Sequence, residues 1–129
     1  MKKNEQRQVK QLFKTSLRVG DRVMVIAGGN EKKGRVLKGQ TGKILRFLPK
    51  RNRVVVEGLN MVKRHKRAMT STDAAGVVSK EASVAISNVM LCPEELTRPV
   101  RIRFKTLEDG RKVRGFTHPE TKKFEQLAN

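Results

Sequence analysis

The stretch that decides the fold runs from Leu17 to Arg67. It opens with LRVGDRVMVIAGG (17–29), continues with KGQTGKI (38–44) and ends with VVVEGLNMVKRHKR (54–67). Short runs of β-branched residues separated by glycines predict a small, mainly β barrel. Between Lys32 and Arg67 there are thirteen basic residues and a single acid, Glu57. A folded surface with so little neutralisation predicts a polyanionic partner.

The whole chain has the same bias. Its 129 residues carry a formal net charge of +18, and the sequence pI is about 11.0. Nucleic acid is the expected neutraliser, because binding to an anionic membrane would favour a long basic amphipathic helix. No apolar run approaches the ~18 residues that span a bilayer, and no hydrophobic signal core follows the first residues. We therefore expect no membrane partner and a protein that stays where it is made.

Catalytic and metal sites find little support in the sequence. The segment Gly34–Thr41 has the glycine spacing of a P-loop, but Gln40 stands where the loop requires a lysine. His65 and His118 lie far apart, and the single cysteine, Cys92, excludes a multi-cysteine zinc site. We interpret Cys92 as a small buried hydrophobic residue. The sequence predicts no cofactor and no enzymatic activity.

Along the chain, alternating segments predict short strands joined by tight turns. The turns are expected at Pro49–Asn52 and at Glu108–Gly110, where an Asp-Gly pair favours a hairpin. The strand candidates are 22–27, 43–48, 53–57, 77–78, 84–86 with a continuation to 91, 100–105 and 112–116.

Four regions follow from this pattern. We expect a basic N-terminal extension at 1–16, a barrel core at 17–67, a second β region with a projecting hairpin at 68–117, and a polar C-terminal tail at 118–129. The N-terminal extension is either a short helix or a segment that stays disordered until it meets RNA.

The basic run 63–67 carries the functional signal. Alone, such a run is as often a solvated face as a binding site. Here it follows a predicted hairpin that is itself basic, at Lys43, Arg46, Lys50, Arg51 and Arg53. Phosphate contacts dominate the affinity of such surfaces. Trp and Tyr are absent and Phe47 is expected in the core, so recognition should depend on the shape of folded RNA rather than on stacked bases.

Several segments carry a resemblance to a known family. They are GDRVMVIAG (20–28), KGQTGKI (38–44), VVEGLNMVKRH (55–65), GVVSKEA (76–82), ISNV (86–89) and GRKVR (110–114). Together they resemble the bacterial type of the KOW-containing large-subunit ribosomal protein twenty-four family, over roughly Leu17 to Lys123.

This resemblance implies an SH3-like (KOW) small barrel with an additional β-hairpin region and basic extensions. It also implies direct binding to large-subunit rRNA early in assembly, in the cytoplasm, beside the exit of the nascent-chain tunnel. The implied partners are large-subunit rRNA, neighbouring large-subunit ribosomal proteins, and nascent chains or exit-site factors.

The resemblance also assigns residues. The KOW turns fall at Gly28, Gly39 and Gly42, with Lys38 and Lys43 beside them. The tunnel-side hairpin tip comprises Met69, Thr70, Ser71, Thr72, Asp73, Ala74 and Ala75. With the charge pattern, the expected rRNA-binding residues are Arg18, Lys38, Lys43, Arg46, Lys50, Arg51, Arg53, Asn60, Lys63, Arg64, His65, Lys66 and Arg67.

Two departures from the family pattern are visible. Nine residues separate Gly28 from Lys38, far more than the family usually has, so Gly29–Leu37 is read as an insertion. The hairpin tip lacks the prolines and paired glycines common in relatives and keeps only Gly76. An alternative interpretation, from another class of protein, is a KOW-domain regulator that contacts RNA polymerase or mRNA.

Overall fold

The computed structural model describes residues 14–29, 36, 38–72 and 75–128, so the N-terminal extension up to Phe13 and most of the Gly29–Leu37 insertion lie outside the described residues. In the described part the chain forms ten strands and two 3-10 helices, at Pro49–Arg51 and Ile86–Asn88. The predicted mainly β class is confirmed. The strands are β1 (Arg22–Val25), β2 (Thr41–Leu48), β3 (Arg53–Val56), β4 (Met61–Lys66), β5 (Gly76–Glu81), β6 (Val84–Ala85), β7 (Val89–Leu91), β8 (Ile102–Thr106), β9 (Lys112–Thr117) and β10 (Phe124–Gln126).

The largest sheet is antiparallel, with the strand order β6-β3-β2-β1-β7 among the described residues. The sheet bends at its longest strand, β2. The first residues of β2 pair with β1, the remainder pairs with β3, and the register shifts between Ile44 and Arg46. A β-bulge of this kind bends a strand and increases its twist. The sheet therefore turns back on itself along β2.

The two edge strands of this sheet, β6 and β7, are joined only by the 3-10 helix at Ile86–Asn88. In a flat five-stranded sheet the edges would be roughly 19 Å apart, given a strand spacing of about 4.8 Å. The four residue steps from Ala85 to Val89 reach at most about 14 Å when fully extended, and less in a 3-10 helix. The sheet must curl to bring its edges together, and we call the resulting unit (β1, β2, β3, β6 and β7) the barrel.

Aliphatic side chains fill the barrel. Val23 and Val25 are fully buried, as their alternation with Arg22 and Met24 predicts. Phe47 is partly buried and packs against the cluster from its margin. The buried cluster comprises Val23, Val25, Ile44, Val54, Val56, Leu59, Val84 and Val89. Each such side chain contributes about 1.5–3 kcal/mol on burial, so a small Val/Ile/Leu interior, as expected from the composition, supports a barrel of this size.

The strands β8, β9 and β10 form a second antiparallel sheet, in the order β10-β9-β8, which we call the C-terminal sheet. It packs on the barrel through a smaller buried cluster of Leu91, Val100 and Phe116. Cys92 lies beside this cluster and is fully buried, which confirms its interpretation as a small hydrophobic residue.

A strand within the predicted polar tail is a correction. Residues 124–126 form β10, which pairs with the outer edge of β9. The strand lies there because Gly115 leaves room for the Phe124 ring, since a side chain at 115 would collide with that ring and with the Glu125 carbonyl. Lys122, at φ +58°, makes the turn that returns the chain.

The segment 84–91 is also interrupted, contrary to the prediction of one continuing strand. Its 3-10 helix splits it into β6 and β7, and both strands join the barrel sheet. Meanwhile β4, which was assigned to the barrel core, pairs with β5 in a separate two-stranded unit. Strand β4, before residue 67, thus pairs with β5, after it, across the predicted boundary between the barrel core and the second β region. The division into four regions remains a prediction.

A buried ion pair fastens the C-terminal sheet to the entrance of the barrel. Arg114 on β9 donates from both Nη atoms to the Asp21 carboxylate, at 2.5 and 2.9 Å, and also to the Ser16 carbonyl at 3.0 Å. The side chains of Arg114 and Asp21 are only 3% and 11% exposed. The two hydrogen bonds fix the relative orientation of the two side chains in addition to pairing their charges. The pair therefore holds the barrel and the C-terminal sheet in one arrangement.

Candidate nucleic-acid interface

The ribbon, formed by β4 and β5, carries the densest exposed charge of the predicted interface. Lys63, Arg64, His65 and Lys66 lie on β4, and all four are exposed. Their partners on β5 are short side chains, with Lys63 opposite Ser79, Arg64 opposite Val78, His65 opposite Val77 and Lys66 opposite Gly76. The basic side chains therefore stand above their neighbours, and Arg67 continues the exposed run beyond the strand.

Hydrogen bonds at Ser83 fasten the base of the ribbon to the barrel. Arg53 Nε donates to Ser83 Oγ at 2.7 Å, and Arg53 Nη2 donates to the Ser83 carbonyl at 2.5 Å. Asn60 Nδ2 donates to the same carbonyl at 3.1 Å, and the Ala82 amide donates to the Asn60 carbonyl at 2.9 Å. Asn60 has φ +53°, a conformation that asparagine tolerates better than most residues.

Arg53 and Asn60 thus differ from the other predicted rRNA-binding residues. Both are partly buried, and both bond to the chain segment that enters β6. This arrangement fixes where the ribbon leaves the barrel. Their contact with rRNA remains a prediction, while their contact with Ser83 is a structural role that the sequence did not reveal.

The remaining predicted cations lie on the rim of the barrel. Arg46 projects from β2 at the bulge, and Lys50 and Arg51 occupy the exposed 3-10 helix that joins β2 to β3. Lys43 is exposed and lies 3.7 Å from Glu94, a surface pair that contributes little to stability. Arg18 and Lys38 are exposed as well, in the loops before β1 and before β2.

The glycines assigned to the KOW turns have distinct structural reasons. Gly39 has φ +93°, a conformation that side chains rarely adopt. Gly42 lies where β2 passes the end of β3, and a Cβ there would come within 2.5 Å of the Glu57 carbonyl oxygen. Gly28 lies directly against the backbone of Val36, which leaves no room for a side chain. The neighbouring Gly29 amide donates a hydrogen bond to the Val36 carbonyl at 3.0 Å.

The predicted hairpin tip joins the two strands of the ribbon. Met69 is 88% exposed, and Thr70, Ser71, Thr72 and Ala75 are exposed too. Asp73 and Ala74 lie outside the described residues. The tip therefore follows directly on the basic run, at the end of the ribbon away from Ser83.

The C-terminal sheet carries further exposed basic side chains, which lie outside the predicted interface. Arg103 and Lys105 on β8 share one face of the C-terminal sheet with Phe124 on β10, and Lys105 Nζ lies 6.0 Å from the centre of that ring. On the other face Lys112 Nζ lies 5.0 Å above Phe104, which is 48% exposed. The alternation of 100–105 indicates a strand with one basic face.

Titration and metal binding add little to this surface. Among the described residues no group of His, Cys, Asp or Glu is placed to hold a metal ion. The pKa of Asp109 is lowered by hydrogen bonds from the Arg111 side chain and backbone, on an exposed turn. No helix in the described part of the chain is long and apolar enough to cross a membrane.

The fold and this surface define a class, namely a small SH3-like β-barrel protein that presents a basic two-stranded ribbon. Comparison with known proteins makes the assignment specific. A family model described as large ribosomal subunit protein uL24, C-terminal domain, matches residues 59–120.

Curated relatives extend the match over most of the chain. Large ribosomal subunit protein uL24 of Pelobacter propionicus is 47% identical over 104 residues, covering 81% of this chain and 89% of the relative. The uL24 proteins of Geobacter metallireducens and Trichlorobacter lovleyi are 48% and 50% identical, covering 78% and 74% of this chain and 86% and 81% of the relatives. The chain belongs to the uL24 family of large ribosomal subunit proteins, as the sequence resemblance indicated, and this is a family of structural proteins, not of enzymes.

Proposed function

We propose that this chain is a structural constituent of the large ribosomal subunit that binds large-subunit rRNA directly, supports early assembly of the subunit and lies near the exit of the nascent-chain tunnel. It works in the cytoplasm as part of the ribosome. Membership of the uL24 family supports the ribosomal assignment. The proposals of direct rRNA binding, a role in early assembly and a location near the tunnel exit rest on the surface described above.

The observation that carries the proposal is the exposed array of cations on the ribbon and the barrel rim. Arg64, Lys66 and Arg67 are exposed on or beside one ribbon, and the barrel rim adds Arg46, Lys50 and Arg51. Each contact between such a cation and a phosphate releases a condensed counterion, which favours binding. Because the β scaffold holds these side chains in fixed relative positions, the array fits a folded polyphosphate better than a flexible tail would.

The ribbon tip gives the proposed orientation in the subunit. Met69 to Thr72 and Ala75 lie at the far end of the ribbon from the Ser83 hydrogen bonds. With the ribbon base and the barrel on rRNA, the tip reaches toward the tunnel mouth. There it is placed to meet neighbouring large-subunit proteins, nascent chains or exit-site factors.

Cell fractionation tests the ribosomal assignment. The chain should sediment with large subunits and stay with them through a moderate salt wash, because many phosphate contacts act together. Recovery of the chain free in solution, or with RNA polymerase, would contradict the proposal.

Binding of the full chain to large-subunit rRNA at several salt concentrations tests direct contact. Replacing Lys63, Arg64, Lys66 and Arg67 with alanine should weaken binding and flatten its salt dependence, by about 0.7–0.9 in the logarithmic slope for each phosphate that is no longer neutralised. The matched control removes four exposed bases on or next to the C-terminal sheet, Arg101, Arg103, Lys105 and Lys112. An equal loss of affinity in that control would show that binding follows net charge and not the predicted interface.

A further inference from the structure

The two faces of the ribbon carry different charges. In an antiparallel pair, residues directly opposite each other share a face, and successive residues of a strand alternate between faces. The register pairs Val62 with Lys80, Arg64 with Val78 and Lys66 with Gly76 on one face. The other face combines Met61 with Glu81, Lys63 with Ser79 and His65 with Val77.

The first face, which we call the cationic face, has three positive charges and no acid among its strand residues. Arg64, Lys66 and Lys80 supply one cation to each of three successive cross-strand pairs, and all three are exposed. Successive pairs on one face are about 6.8 Å apart along the strands, so the cations span about 14 Å. Their cross-strand partners are two valines and a glycine, which are too short to screen them.

The second face is close to neutral. Lys63 is the one lysine or arginine among the strand residues of this face, and its charge is offset by Glu81, which lies one pair further along. Exposed apolar side chains, Met61 and Val77, take up much of the remaining surface. Charge complementarity to a polyphosphate is therefore confined to one side of the ribbon.

We propose that the ribbon binds RNA through the cationic face alone, with Lys80 as an additional phosphate-contacting residue beside Arg64 and Lys66. This inference rests on the proposed function and refines it, because the basic run 63–67 then does not act as a unit. Lys63 and His65 point away from the RNA that Arg64 and Lys66 contact. The absence of a side chain at Gly76 leaves the Lys66 end of the face open to a closely approaching backbone.

A matched pair of single substitutions tests the assignment. Lys80→Ala and Lys63→Ala each remove one exposed lysine from the same ribbon, so they change the net charge equally. Binding of each full-length variant to a large-subunit rRNA fragment is measured over a range of salt concentrations. Lys80→Ala should lower the logarithmic salt slope by about 0.7–0.9, as expected when one fewer phosphate is neutralised, while Lys63→Ala should leave the slope unchanged.

Lysine acylation in the preformed complex provides a second measurement on the unmodified chain. The amines of Lys66 and Lys80 should be protected by RNA, while Lys63 should react as fast as in the free protein. Circular dichroism and thermal unfolding of the two variants should match the unmodified chain, since both side chains are exposed.

The outcomes separate this inference from the proposed function. If the unmodified chain ignores rRNA, the proposed function itself fails. If the unmodified chain binds but the two substitutions lower the salt slope equally, or Lys63 is protected as fully as Lys80, the one-sided ribbon is wrong and RNA surrounds both faces. If binding persists and neither lysine matters, the ribbon contacts something other than RNA, such as a protein, and the inference is again overturned.

Discussion

The strands of the barrel and of the ribbon both contain valines, but the surroundings of these side chains are opposite. Valines at 23, 25, 54 and 56 in the barrel are fully buried, whereas Val77 and Val78 in the ribbon are about half exposed. The barrel closes its sheet and covers one face with a core. The ribbon has two strands, two exposed faces and an attachment at Ser83.

This difference indicates where the stability of each region comes from. A two-stranded hairpin is marginally stable at best in water, because it has no hydrophobic layer of its own. The barrel and the C-terminal sheet together form a self-supporting frame, while the ribbon depends on its attachment to that frame. Changes within the frame should therefore alter folding, and changes on the ribbon should alter binding.

The largest effect is expected from Arg114→Ala. This substitution leaves the Asp21 carboxylate buried without its partner, and removal of one member of a buried pair typically costs about 3–5 kcal/mol. Urea unfolding followed by circular dichroism should show a midpoint shifted to much lower concentration. Arg111→Ala is the control, since its partner Asp109 lies on an exposed turn, and that variant should unfold like the unmodified chain.

An Arg114→Lys variant keeps the result interpretable if Arg114→Ala does not fold. Lysine preserves the charge but cannot reproduce the two-pronged contact with Asp21. Its stability should fall between those of the unmodified chain and the alanine variant. A lysine variant as stable as the unmodified chain would mean that the fork geometry does not hold the frame together.

A smaller effect is expected from alanine at two glycines, one in the barrel and one in the ribbon. At Gly42 a Cβ would lie 2.5 Å from the Glu57 carbonyl oxygen and 2.9 Å from Val56 Cγ1, so Gly42→Ala should destabilise the frame by about 1–3 kcal/mol. At Gly76 nothing lies within 4 Å of the added carbon, so Gly76→Ala should leave the stability nearly unchanged. Thermal unfolding of both variants measures the difference, and a larger destabilisation at Gly76 would reverse the comparison.

The smallest effect concerns Asp109, at the exposed end of the hairpin between β8 and β9. Hydrogen bonds from the Arg111 side chain and backbone hold the pKa of this carboxyl below its ordinary value of 3.8. A lowered pKa contributes stability above the ordinary value, and that contribution is lost as the pH falls through the lowered value. Because water screens this turn fully, the change should not be detectable in unfolding curves.

Nuclear magnetic resonance titration of the Asp109 carboxyl can detect the shift directly. The midpoint should lie below 3.8 in the unmodified chain and return toward 3.8 in Arg111→Ala. A midpoint at or above the ordinary value in the unmodified chain would show that the hydrogen bonds to Arg111 do not persist in solution.

Much of the frame could be predicted from local patterns. The alternation at 22–25 correctly places Val23 and Val25 inside, Pro49–Asn52 forms the predicted hairpin connection, and Gly110 adopts a positive φ in the predicted Asp-Gly turn. Each of these features is set by residues close together in sequence. Periodicity and turn chemistry are sufficient for them.

Features that depend on distant residues could not be predicted in this way. Strand β10 exists because a glycine nine residues earlier leaves space for Phe124, and Arg114 is buried because Asp21, 93 residues away, receives it. The face of the ribbon on which Lys80 lies depends on the pairing register between β5 and β4. The sequence of either strand alone does not reveal that register. Arg53 and Asn60 were predicted only as RNA contacts because their common acceptor, Ser83, lies in another element.

The ribbon is inserted between two strands that are neighbours in the barrel, because the chain leaves after β3, returns as β6, and β3 pairs with β6. The barrel sheet therefore cannot be completed during synthesis until the entire ribbon and β7 have been made. The same arrangement makes the length of the excursion almost irrelevant to the barrel, since doubling a flexible connection costs only about 0.6 kcal/mol. The same barrel could thus carry a longer or a shorter ribbon, which would change how far the ribbon reaches.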